Sequence, residues 1–135
     1  MHYSVEKYGL GGKVNLRYEE AVEKTKEALK GEGFGVLCEI DVKAIMKAKL
    51  DVDRTPYVIL GACNPKLAHQ GLSAEPDLGL LLPCNVVVYQ DDQGSVWVKA
   101  IEPGKMLSIV ENPALDPVAQ QVREKLEKVL ASVAG

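Results

Sequence analysis

Chemistry in this chain would begin at Cys63, Asn64 and Pro65. Cys63 ends an apolar run that starts at Tyr57, and Asn64-Pro65 follows it directly. Asn followed by Pro starts helices, because Asn caps free amides and Pro is preset for the first helical position. A thiol beside a helix N-terminus feels the positive end of the dipole, which favours the thiolate. The same first turn leaves the amides of residues 66–68 unsatisfied within the helix, so with Lys66 beside them they could hold a small anion. His69 stands six residues after Cys63. Cys63 and His69 are therefore the candidate catalytic pair, with Glu75 or Asp77 as a candidate orienting carboxylate and Cys84 as a candidate resolving thiol. The plainer reading makes Cys63 a small residue packed where strand turns into helix, and His69 a solvated surface group.

Metal binding would draw on Cys63, His69 and Cys84, but no CxxC or HxxxH spacing joins them. No metal and no cofactor is expected. Cys38 reads as a small hydrophobe on a buried strand face. Asp91 and Asp92 read as solvated loop residues. The GLGGK run at 9–13 lacks the spacing and the Ser or Thr of a phosphate loop, and reads as a turn.

These residues need a scaffold, and 135 residues with 47% hydrophobic and 26% charged content suffice for one globular domain spanning 1–135. A net charge of -3 gives no electrostatic footprint for nucleic acid. No apolar window is long enough to span a membrane, and residues 1–13 show no signal-peptide pattern. Three cysteines at unpatterned spacing do not make a disulfide framework, so a cytoplasmic protein with reduced thiols is expected. Many charged residues with few Asn and Gln hint at a thermophilic source.

Alternation predicts a short strand over residues 2–8, ended by Gly9. Tyr18 to Lys30 has the three- and four-residue steps of an amphipathic helix, which Gly31 or Gly33 ends. Phe34, Val36, Cys38, Ile40 and Val42 alternate as one apolar strand face, and Asp41 caps a helix over 42–50. Residues 57–63 read as a buried strand, and the helix from Pro65 ends at Gly71. Glu75-Pro76-Asp77 opens another helical turn, and Pro83 stops it. Residues 84–90 and 95–101 form an antiparallel hairpin around Asp91–Gly94, with Trp97 and Lys99 on its partly exposed face. Pro103-Gly104 ends the hairpin, and 106–110 fits either a helix or a strand. Asp116-Pro117 starts a last helix with an apolar stripe of Val118, Val122, Leu126, Val129, Leu130 and Val133. The order implies an α+β fold: a single antiparallel or mixed curved sheet of four to five strands, two long helices on one face, and short connecting helices.

The segments GFGVLCEIDV (33–42), YVILGACNPKLA (57–68) and LGLLLPCNVVVY (78–89), with the return strand ending at Pro103, resemble the domain of unknown function 302 family. The resemblance covers nearly the whole chain in order. It implies a fold similar to that of the TATA-box-binding protein, a curved antiparallel sheet covered by helices, and it implies a homodimer. It also implies importance for Glu39, Asp41, Cys63, Asn64, Pro65, Pro83 and Cys84. The family has no established activity, so no reaction carries over, and the fold name does not imply DNA binding.

Three functions follow as expectations. The first is a small binding domain that holds an unidentified small molecule or anion near Cys63, Asn64, Pro65, Lys66 and Cys84, with Glu39 and Asp41 also among the expected ligand-binding residues. The second is a thiol-dependent enzyme or redox protein using Cys63. The third is a structural module acting through homodimerisation.

Overall fold

The computed structural model describes the backbone of residues 4–134 and side chains from residue 7 onward. His2 and Tyr3, part of the expected first strand, lie outside the described residues.

Among the described residues the sheet has six strands, all antiparallel: β1 (Ser4–Glu6), β2 (Gly9–Val14), β3 (Gly35–Asp41), β4 (Tyr57–Cys63), β5 (Cys84–Gln90) and β6 (Val96–Ile101). Their spatial order is β1-β2-β6-β5-β4-β3. Five helices connect them: α1 (Tyr18–Gly31), α2 (Val42–Leu50), α3 (Pro65–Ala74), α4 (Pro103–Ser108) and α5 (Asp116–Ala134). Two 3₁₀ turns, Pro76–Leu81 and Pro113–Leu115, complete the chain.

The β5–β6 hairpin closes as its alternation requires. Asp91 Oδ1 accepts from the amides of Gln93 and Ser95, and Asp91 Oδ2 accepts from Trp97 Nε1 at 2.8 Å. Asp91 is therefore a structural turn residue. Val86, Val88, Val96 and Val98 point to the covered face, and their neighbours Val87, Tyr89, Trp97 and Lys99 to the other. Helices α1 and α5 pack on each other and on the covered face. All six apolar positions expected of α5 are buried there, with Leu126 and Leu130 fully so, against Ala21 and Leu29 of α1.

The residues read as a turn at 9–13 form β2. Leu10 and Val14 are buried opposite Ala100 and Val96. Glycine is needed here for close approach: at Gly11, with φ +139°, a Cβ would stand 2.2 Å from the Val98 carbonyl oxygen. Glycine-rich sequence suggested a break where the backbone only needed room.

Strand β3 departs further. A bulge between Val36 and Cys38 shifts its register against β4. Val36, Glu39 and Asp41 share the covered side with Ala62, Leu60 and Val58, while Cys38 and Ile40 turn to the side of Gly61 and Ile59. Cys38 is thus exposed instead of buried. Strand β3 is an edge, with Leu37 67% exposed, and α2 after it buries no residue. Asp41 caps α2 as expected, accepting from the Ala44 amide at 2.9 Å.

Helix α3 runs past Gly71 to Ala74. Gly71 is a packing glycine, since a Cβ there would lie 2.6 Å from Leu78 Cδ2. Pro103 begins α4 instead of merely ending the hairpin.

Candidate functional site

The register brings the three cysteines to the same end of β4. Cys38 lies opposite Gly61, Cys84 opposite Ala62, and Cys63 is the next residue. A Cβ at Gly61 would meet Cys38 Sγ at 2.6 Å and Pro83 Cγ at 3.0 Å, so this glycine makes room for a thiol and a proline. The Leu82-Pro83 peptide bond is cis. Strand parity starts Cys84 on the covered face and Cys38 and Cys63 on the other, but Cys63 ends its strand and reaches the same cavity wall as Cys84. All three thiols are free. Cys63 and Cys84 are neighbours at the end of the sheet, and neither is in a disulfide.

A cavity of about 40 Å³ opens at this end of the sheet. Ala62, Cys63 and Cys84 form its strand wall, and Asn64, Leu67 and Ala68 of the α3 start form the next. Leu78, Leu82 and Pro83 close it from the segment before β5. Met106 and Leu107 of α4 and Val118 and Val122 of α5 complete it.

Asn64 works as the sequence indicates. Its Oδ1 accepts from the Leu67 amide at 3.3 Å, and its Nδ2 donates to the Glu32 carbonyl at 3.4 Å, tying the helix start to the end of α1. The Ala68 amide donates to the Asn64 carbonyl. Of the amides of residues 66–68, two are therefore already used inside the turn, which leaves little for an anion. Pro65 and Lys66 are exposed on the outer side of α3, as is His69. Among the described residues no hydrogen bond joins His69 to Cys63, and His69 is exposed.

Burial pushes the Cys84 thiol up to about 11, and the neighbouring Cys63 adds to the rise. Cys84 is thus a neutral thiol at physiological pH. Glu39 and Asp41 lie away from the cavity. Glu39 pairs with Lys26 of α1, and Asp41 is the cap of α2. Among the described residues, no group of three His, Cys, Asp or Glu side chains is placed to hold a metal ion.

Sequence reasoning missed Leu67, Leu78, Met106 and Val122 as wall residues, since only tertiary packing assembles them. It also missed Glu102. This carboxylate is 4% exposed, caps α4 by accepting from the Lys105 amide at 2.6 Å, and accepts from Arg123 Nη1 of α5 at 3.0 Å. A signal existed: Glu102-Pro103 pairs a capping side chain with proline, as Asn64-Pro65 and Asn112-Pro113 do.

Residues 12–133 match the family described as Domain of unknown function DUF302. Among curated proteins none matches the chain. Among solved structures, the chain is similar to an uncharacterized conserved protein DUF302 from Bacillus stearothermophilus. The two share 32% identity and a TM-score of 0.88, over 95% of this chain and 99% of that one. The chain belongs to the domain of unknown function DUF302 family.

Proposed function

We propose that this protein is a small-ligand binding domain whose site is the cavity between β4, α3, α4 and α5, with Cys63 and Cys84 in its wall. One observation carries the reading: residues far apart in sequence, Cys63, Asn64, Pro83 and Cys84 among them, converge on a single cavity. The apolar walls favour an apolar ligand over the anion that the helix start first suggests. Free thiols throughout fit a reducing compartment such as the cytoplasm. Native mass spectrometry of freshly isolated, reduced protein tests the reading. A retained small molecule that Leu67→Trp abolishes supports it. Only bare protein, with no mass retained from any screened compound, counts against it.

A second function, homodimerisation, has its own support. Helix α2 has nine residues, lies against β4 and buries none of them fully, so the monomer covers it only in part. Leu37 and Ile40 of β3, Ile45 and Leu50 of α2, and Val52 beyond it are all exposed. Asp41 at the start of α2 and Lys49 in its last turn give the two ends of this patch opposite charge, which suits antiparallel pairing with a second copy about a twofold axis. Light scattering at micromolar concentration should find a dimer that Leu37→Asp converts to monomer. A parent protein that is monomeric there would remove this reading.

A further inference from the structure

We infer that the cavity takes an uncharged apolar ligand, the end of an alkyl or aryl group, admitted where two hydrophobic clusters part. The inference rests on the reading of the cavity as a binding site and names the class of ligand.

The cavity lies on a seam. Leu67, Cys84 and Val122 belong to the main core, whereas Leu78 and Leu107 belong to a separate small cluster with Leu115. Met106 packs against both clusters at this seam, so a ring enters the cavity of about 40 Å³ only as Met106 shifts and the seam opens, a local opening of the kind that folds undergo below their global unfolding.

Apart from the Cys63 and Cys84 thiols, which hydrogen-bond weakly, the wall offers little to a charged or strongly polar guest. Asn64 is its one amide side chain, and both ends of that amide are used, by Leu67 and Glu32. Pro83 and Pro103 bring no N–H. Among the described residues, no buried side-chain nitrogen or oxygen lacks a hydrogen-bond partner, so none waits for a ligand. A polar guest would lose its water and gain little in return, while an apolar one gains contacts with the wall.

Two cysteines make the test internal. Cys84, in the wall, is 7% exposed and reports access, while exposed Cys38 serves as the standard. Reduced protein is alkylated with iodoacetamide, and both sites are followed by peptide mass spectrometry with benzene or benzoate present. Benzene at about ten times its dissociation constant should slow Cys84 roughly tenfold and leave Cys38 unchanged. Benzoate should slow neither. Ala68→Met, which adds an apolar chain to the wall, should weaken protection by benzene without altering the Cys38 rate. Equal protection by benzoate would overturn the ligand class while leaving the binding reading intact. Absence of protection by either compound, or Cys84 alkylation that merely tracks global unfolding in urea, would overturn both.

Discussion

Raising the pH through about 9 to 11 should loosen this protein through Cys84. The thiol faces the main core beside Ala62 and Val86, and its pKa rises from 9.0 to about 11, chiefly through burial and then through Cys63. A group that holds its proton more tightly when folded stabilises the fold below its unfolded pKa. That stabilisation is lost as pH climbs through the folded value, here from about 9 to about 11. At 1.36 kcal/mol per pKa unit, the shift corresponds to about 3 kcal/mol, a sizeable part of a typical domain's stability. Urea unfolding followed by Trp97 fluorescence, from neutral pH to about pH 11, reads the effect. Cys84→Ala should be less stable at neutral pH, because it leaves a small void, yet should lose less stability on going alkaline. Tyr18 is also raised, to about 12, by burial first and then by Asp41, Glu19 and Glu39. It titrates in both proteins, so their difference isolates Cys84. Equal alkaline losses in the two proteins would refute the reasoning.

Three further substitutions test the framework around the site. Gly11→Ala would drive a methyl into the Val98 carbonyl and should either displace β2 or prevent folding, seen as lost amide protection across β2 and β6. Asn64→Ala removes the α3 cap and the tie to Glu32 and should lower stability by about 1–2 kcal/mol in urea titrations. Asn64→Asp, which keeps the cap but not the donor to Glu32, should recover only the cap's share of that loss. Glu102→Ala leaves the Lys105 amide unsatisfied and Arg123 without its inner partner, and should cost about 2 kcal/mol. Arg123 keeps Glu127 at 2.8 Å, so the loss should fall short of that for a fully isolated buried charge.

What the sequence revealed was mostly local. The α5 stripe, the β5–β6 hairpin and the Asn64-Pro65 helix start each rest on short-range spacing, and each stands in the fold as expected. Long-range effects stayed hidden. The bulge in β3 inverts the facing of Cys38 and Ile40, and no alternation pattern marks where one residue is skipped. Gly9–Val14 resembles a loop until Val98 is seen pressing on Gly11. The three cysteines look unpatterned at positions 38, 63 and 84, yet register places them around three successive residues of β4. The cavity is a meeting of two clusters drawn from segments across the chain, so the motif at Cys63 marked its edge but not its walls.

The central claim is that the cavity beside Cys84 is an apolar binding site. A crystal of the reduced protein pressurised with xenon tests it most directly, since xenon enters apolar space and has no polar chemistry to guide it. The account predicts xenon bounded by Leu67, Cys84, Leu107 and Val122. Ordered water bonded to the wall, or no xenon there at any pressure the crystal survives, would contradict it.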